Sequence, residues 1–585
     1  MTTNHPHGGS IVGEILKAHG VQCVYTLCGG HISPILQGAK QHGLSIVDVR
    51  DEASAAFAAD AAGRMTGIPG VCAVTAGPGV TNTMTAVKNA QMAQQPMLIL
   101  GGATATILRG RGALQDIDQL SLMRPVTKWA TRVSTVQAIR PTLERAFKVA
   151  SEGVPGPVFV EFPVDILYPE EIVAEWYMKE SGVDKMKGPV GTVAQMAMKG
   201  YLRRQFHFPH IGLPSRPSLR NPLGADVEKQ LSQVATAINS AMRPVLVVGN
   251  QAMVNLTTAE ADELAAAVSQ LGLPSFLGGS ARGLLGHHSD IQFRHKRTAA
   301  LKEADLVIVA GFPFDFRMGY GQKINKKATL VSINLDAVAL KKNRRPDIAA
   351  QTHPGKFIVQ LSDRVQGKQD RGAWFDTLRA RESARDAEIA ARSNSEGPLV
   401  DPVYFFQRLE EQMADDSILI VDGGDFVATG AYILRPRKPL SWLDPGVFGT
   451  LGVGGGFALG AASVRPDAEI WLLYGDGSSA YSLAEFDTYV RLGYAPIAVI
   501  GTDASWHQIA RDQITILGDA VGTELLRTDY HVVAEGYGGV GLLLTDPSKV
   551  DAVIAEAKAL AAQGKPVCIN IHLADSDFRK GSISI

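Results

Sequence analysis

Cysteine is scarce: Cys23, Cys28, Cys72 and Cys568 are the only four in 585 residues. They form neither a C-x-x-C pair nor zinc-ligand spacing, so nothing points to a disulfide framework or a structural zinc, and reduced thiols suit a cytoplasmic protein. Long hydrophobic runs are missing too. No stretch of about 18 apolar residues occurs, so no transmembrane segment is expected. Residues 1–10 are polar and lack the apolar core of a secretory signal. Charge of one sign is equally absent, since 57 Lys and Arg against 58 Asp and Glu leave a net −1. That balance, with no large basic cluster, argues against a nucleic-acid partner. What the chain does have is glycine, 60 residues of it, and a hydrophobic content of 45%. These suit globular cores with many tight turns, and the length exceeds what one core supports.

Short β-branched runs alternate with amphipathic segments along the chain, the pattern of doubly wound parallel sheets. The fold class is therefore α/β, with three such domains. The first covers residues 1–180, with strands expected at 23–27, 45–49, 71–75, 96–100 and 158–160 and helices at 53–64 and 80–91. A Pro-, Gly-, Arg- and His-rich linker or insert (181–225) leads to a central Rossmann-like domain (226–370), with strands at 245–248, 306–309 and 330–333. A helical linker (371–400) precedes the third domain (401–570), and a tail (571–585) follows it.

The third domain holds the most informative stretch, Leu472-Leu473-Tyr474-Gly475-Asp476-Gly477-Ser478 and, further on, Thr502-Asp503-Ala504-Ser505-Trp506. Each time an apolar strand ends in an acidic turn, and the first turn is expected to open a helix carrying Leu483, Phe486 and Val490. Both turns should lie at the carboxyl edge of one parallel sheet, where open α/β sheets bind ligands. Two carboxylates there suit Mg²⁺, which is commonly held by one or two carboxylates plus diphosphate oxygens. Backbone N–H groups of Gly477 and Ser478 suit an anion. In the first domain Asp51-Glu52 opens another helix after a strand. A glycine-rich turn, Gly446-Val447-Phe448-Gly449-Thr450-Leu451-Gly452-Val453-Gly454, precedes a small-residue helix.

Together these motifs resemble thiamine-diphosphate enzymes of the acetolactate synthase family, and the resemblance covers nearly the whole chain. It implies pyrimidine-binding, central and diphosphate-binding domains in that order. It further implies that Asp476, Asp503 and the Ser505 carbonyl bind Mg²⁺, with Gly475, Gly477, Ser478 and Trp506 beside the cofactor. Glu52 would activate thiamine diphosphate through a hydrogen bond to its aminopyrimidine ring. Leu451, where acetolactate synthases usually carry Met, would prop the cofactor into a bent shape, with Gly449 and Leu451 backbone groups pairing with the pyrimidine edge. One departure is Thr502-Asp503 in place of the family's Asn-Asn pair, which keeps a ligand oxygen but adds negative charge.

Among these relatives, Gly29-Gly30-His31-Ile32-Ser33-Pro34, Asp422-Gly423-Gly424-Asp425-Phe426, Trp442-Leu443-Asp444-Pro445-Gly446 and Thr528-Asp529-Tyr530-His531 look most like acetolactate-synthase-like 2-hydroxyacyl-CoA lyases. That likeness implies cleavage of a 2-hydroxyacyl-CoA to an aldehyde and formyl-CoA. The alternatives are an acetolactate synthase or a benzaldehyde-lyase-type carboligase acting on 2-oxo acids or aldehydes. A third reading, a scaffold without turnover, is disfavoured by the joint presence of Glu52, Asp476 and Asp503. Benzaldehyde lyase is similar around His31 and Gln115, which would then handle the substrate hydroxyl. Leu114-Gln115 departs from the Tyr-Glu of the acyl-CoA decarboxylases. Ser505-Trp506-His507-Gln508 departs from the acetolactate synthase segment. The central domain holds FAD in some relatives and ADP or part of CoA in others, and Gly249-Asn250-Gln251, Arg282 and Asp336 fall at its strand ends. The family further implies a homodimer or homotetramer. The basic, aromatic stretch 200–208 reads as a solvated linker sooner than a membrane or acyl-chain contact. Phe578-Arg579-Lys580 reads as a lid over a thioester or as a frayed terminus.

Overall fold

The computed structural model describes residues 7–205, 223–365 and 369–581. The chain divides into two compact units, residues 1–63 with 68–215, and residues 64–67 with 216–585.

In the first unit the apolar runs become β1 (Cys23–Leu27), β2 (Ser45–Asp48), β3 (Gly70–Val74), β4 (Met97–Ala103), β5 (Trp129–Arg132) and β6 (Pro157–Pro163). All pair in parallel, in the order β2-β1-β3-β4-β6-β5. β3, β4 and β6 are buried along their whole length. Strands covered by helices on both faces read as unbroken apolar runs, which is why they stood out in the sequence. Pro157 opens β6, a position where the missing N–H costs no ladder bond.

The second unit holds two sheets. β7 (Pro244–Val248), β8 (Ser275–Leu277), β9 (Leu306–Ala310), β10 (Thr329–Ile333) and β11 (Ile348–Ala350) form the central one, ordered β11-β10-β9-β7-β8. β12 (Ile418–Asp422), β13 (Trp442–Leu443), β14 (Ile470–Gly475), β15 (Ile497–Thr502), β16 (Val540–Leu544) and β17 (Val567–His572) form the other, ordered β13-β12-β14-β15-β17-β16. This last order repeats that of the first unit. In each of the three sheets the chain steps outward from its first strand and returns on the other side. A crevice therefore opens at the carboxyl ends of β1 and β3, of β7 and β9, and of β12 and β14.

Three local expectations differ from the structure. The helix expected over 80–91 is two helices, Pro78–Asn82 and Met84–Ala93, interrupted at Thr83. The Thr83 hydroxyl donates to the Val80 carbonyl at 2.7 Å, and such side-chain bonds compete with the helical ladder. Likewise the turn at Asp476 opens only a four-residue helix, Asp476–Ser479, and the amphipathic helix begins later, at Glu485–Leu492. Ser478 and Ser479 hydroxyls donate back to the Gly475 and Asp476 carbonyls at 3.0 and 2.7 Å and end the first helix early. The insert is helical over Gly188–Gln205, with Pro189 in the first turn where proline is tolerated. Residues 206–208 of the basic aromatic stretch lie outside the described residues. Among the described residues no helix is long and apolar enough to cross a membrane.

Candidate active site

In the first unit the three catalytic candidates gather at the β1/β3 crevice. Glu52 is the first residue of the helix Glu52–Thr66 and is only 7% exposed. Asn82 Nδ2 donates to its Oε2 at 3.0 Å. Its Oε1 lies 3.5 Å from where a Cβ on Gly79 would stand, so the turn after β3 passes directly beside the carboxylate. His31, in the loop after β1, places Nδ1 3.2 Å from Thr75 Oγ1 on that same turn. Burial lowers the His31 pKa, which favours the neutral, proton-accepting imidazole. Gln115 sits beside Gly77 with φ at 62°, a left-handed conformation that side chains seldom adopt. Such strain is held where the surroundings over-determine it, and functional loops are a common place for it.

Behind this turn is a buried polar chain that composition and spacing could not reveal. Gly77 N donates to Gln119 Oε1 at 2.7 Å, and Gln119 Nε2 donates to Gly102 O and Glu161 Oε2 at 3.1 and 2.9 Å. Glu161 is fully buried and pairs with Arg132. A cavity of about 190 Å³ opens beside them, lined by Gln115, Gln119, Arg109, Arg132 and Glu161 among others.

In the second unit every candidate expected at the diphosphate lines one cavity of about 280 Å³: Gly449, Leu451, Gly475, Asp476, Gly477, Ser478, Asp503, Ser505 and Trp506. Asp476, 3% exposed, accepts from Gly477 N and Ala504 N, both at 2.8 Å. The Ala504 bond ties the two acidic turns to each other at the ends of β14 and β15. Burial raises the Asp476 pKa, and burial followed by the Asp476 charge pushes Asp503 up to about 7. A buried and a half-buried carboxylate that repel one another form a donor set for a divalent cation. His507 Nδ1 lies 3.7 Å from Asp503 Oδ2. A Cβ on Gly477 would lie 2.5 Å from the Trp506 ring, so only glycine lets that indole close the cavity. Among the described residues no three His, Cys, Asp or Glu side chains converge as a metal cage. A cation here would take its remaining ligands from backbone and from a bound diphosphate, as Mg²⁺ does.

Two further residues were missed: Asp425, which lines this cavity, and Asp422, which bonds to the turns that line it. Asp425, in the first turn of the helix Asp425–Ile433, forms a half-buried ion pair with Arg511 on the helix His507–Leu517. Asp422, the last residue of β12, accepts from Gly452 N and Gly454 N at 3.2 and 2.8 Å. The available signal was an acidic residue ending a third apolar strand of this sheet, followed by two glycines.

At the carboxyl edge of the central sheet lies a larger cavity, about 920 Å³. Arg282, Arg294, Lys296, Arg297, Arg317, Arg385 and Arg579 line it, with Phe312, Phe316 and Tyr432, and among the described residues no carboxylate does. Burial, then the neighbouring Arg435 and Arg282, bring Arg294 down to about 10. Of the central-domain candidates only Arg282 lines this space. Asp336 instead caps a turn by accepting from Val338 N at 2.8 Å, and the Asn250 side chain accepts from the Ser280 hydroxyl at 2.5 Å. The tail packs rather than fraying through its described part: Phe578 is 8% exposed and the Arg579 guanidinium stacks 5.1 Å over Tyr432.

The chain belongs to the thiamine pyrophosphate enzymes. It matches their N-terminal TPP-binding domain over residues 6–122, their central domain over 231–361 and their C-terminal TPP-binding domain over 422–571. Within that class it is 46% identical to 2-hydroxyacyl-CoA lyase 2 of Homo sapiens over 593 residues, covering 99% of this chain and 92% of the relative. The Danio rerio protein of the same name is 45% identical over 590 residues, covering 99% and 93%. A probable acetolactate synthase of Mycobacterium bovis is 31% identical over 569 residues, covering 97% and 95%.

Proposed function

We propose that this chain is a thiamine-diphosphate-dependent carbon–carbon lyase that cleaves a 2-hydroxyacyl-CoA to an aldehyde and formyl-CoA, reversibly. The observation that carries the coenzyme A part is the 920 Å³ cavity, lined among the described residues by seven cationic side chains, of which Arg317 and Arg385 also pair with Asp315 and Glu388. Guanidinium groups match phosphate oxygens bidentately and stack on aromatic faces, so this lining suits a nucleotide bearing several phosphates. ADP or a flavin would use the same features, so the substrate itself must be tested. The near full-length likeness to lyases points the same way.

Bound thiamine diphosphate supplies a carbon nucleophile and an electron sink. The protein's part begins with Glu52, which holds a proton at a carboxylate oxygen while Asn82 fixes its other oxygen. Neutral His31, aligned by Thr75, accepts the proton of the substrate hydroxyl, and Gln115 orients that hydroxyl. Asp476, Asp503 and the Ser505 carbonyl hold Mg²⁺, and Trp506 shields the diphosphate from water.

The deciding assay incubates the protein with Mg²⁺ and thiamine diphosphate on a 2-hydroxyacyl-CoA and, in parallel, on pyruvate. Aldehyde plus formyl-CoA by mass spectrometry, absent without cofactor, is the expected result. Acetolactate alone would move the protein to the synthase class.

The Mg²⁺ assignment has a pH signature. Asp503 is raised to about 7, so the metal-free chain keeps a proton there at lower pH and loses that stabilisation as pH rises through about 7. Mg²⁺ competes with the proton, so its apparent affinity is expected to increase with pH and level off above this value. Calorimetric titrations across the range test it, and a flat profile would remove Asp503 from the ligand set.

A homo-oligomer also fits. Ile516, Leu517, Val521 and Leu526, on the segments following the second acidic turn, are 69–80% exposed, and a second copy would cover them. An active species with monomer mass in solution would exclude this.

A further inference from the structure

Asp422 does more than end a strand. Its carboxylate takes one backbone N–H on each oxygen, from Gly452 at 3.2 Å and Gly454 at 2.8 Å, so it grips the turn that carries Leu451. Its carbonyl accepts from Ser478 Oγ at 2.6 Å, in the turn that carries Asp476. The next residue, Gly423, has φ +141° and stands so close that a Cβ would lie 2.7 Å from Gly475 N and 2.9 Å from Ser478 Oγ. One fully buried residue thus joins two turns that line the same cavity, one carrying Leu451, read as the prop for the cofactor's organic part, and the other carrying Asp476 and Ser478, read as the diphosphate contact. An amide could not replace it, since one of the two inward N–H groups would then meet another donor.

We propose that Asp422 is a positioning residue for thiamine diphosphate, setting the gap between Leu451 and the 475–478 turn across which the cofactor would be held. The proposal rests on reading that cavity as the diphosphate site. Burial makes the Asp422 charge costly, and a costly buried carboxylate without a cationic partner in hydrogen-bonding contact is more often kept for a site than for stability. Because it acts on a relative position, its loss should spare any ligand that touches only one of the two turns.

Inorganic diphosphate is such a ligand and thiamine diphosphate is not. With the full chain and Mg²⁺, calorimetry on Asp422→Asn is expected to show inorganic diphosphate binding within about twofold of wild type. Thiamine diphosphate should bind at least about tenfold more weakly, within the range that loss of a supporting partner costs at a ligand site. Unchanged thiamine diphosphate binding would overturn the proposal. Equal weakening of both ligands would overturn it as well, leaving only a structural role. Should Asp422→Asn fail to fold, Asp422→Glu keeps both acceptors but displaces the turn by one methylene, and the same contrast is expected of it. Neither titration uses acyl-CoA or turnover, so a failed lyase assay leaves the result standing. A wild-type chain that bound neither ligand would overturn this proposal and the reading of the cavity together.

Discussion

Glu52→Gln is expected to lower turnover by about 10²–10⁴-fold, the usual worth of a positioned acid or base. The substitution is chosen to isolate the proton. Glutamine keeps the length of the side chain and an oxygen that can still accept from Asn82 Nδ2, now at 3.0 Å, so the start of the helix Glu52–Thr66 should persist. Binding of thiamine diphosphate and the melting temperature are accordingly expected to change little while turnover collapses. The measurement is single-turnover rate beside cofactor affinity on the same preparation. Turnover equal to wild type would mean that the buried carboxylate has some other task.

The second large effect concerns the acidic pair. Asp476→Ala removes the proposed ligand oxygen, the bond to Gly477 N within its own turn and the bond to Ala504 N that joins the two turns. Mg²⁺-dependent binding of the cofactor should fall by about 10²-fold or more, since even outer partners of metal ligands are worth 10–100-fold. Asp503→Asn should behave in the opposite sense. It keeps an oxygen toward the proposed metal site and removes the titratable group that burial, and then the Asp476 charge, pushes up to about 7. Metal binding should survive and lose its pH dependence. Parallel Mg²⁺ titrations of the two variants at several pH values test both. Identical behaviour would show that the two carboxylates are not distinguished by the site.

The strands were readable because they are buried on both faces: β3, β9 and β14 appear in the chain as uninterrupted apolar runs. The two acidic turns that share the 280 Å³ cavity were readable for a related reason, since each directly follows such a strand. Helix limits near those turns were not. Whether Thr83, Ser478 and Ser479 bond to water or to the preceding carbonyls depends on how the chain packs. Asp422 was overlooked because its importance lies in two amides roughly thirty positions later, a relation with no local pattern. The cations of the large cavity come from segments spread between Arg282 and Arg579, and apart from Arg294, Lys296 and Arg297 they are brought together only when the sheets are built.

The neighbour of β15 has a consequence for biosynthesis. β15, which ends at the acidic turn, lies between β14 and β17, and β17 is the last strand of the described chain. Thr502 Oγ1, at the end of β15, donates to Asn570 on β17 at 2.6 Å. While the ribosome is still making the intervening residues, β15 presents an unpaired apolar edge, the kind of surface that chaperones shield and that nucleates aggregation. A nascent chain should therefore acquire affinity for its cofactor only after residue 572 has cleared the exit tunnel. A premature stop just before Val567 would forfeit that affinity entirely, although every residue lining the diphosphate cavity would already have been translated.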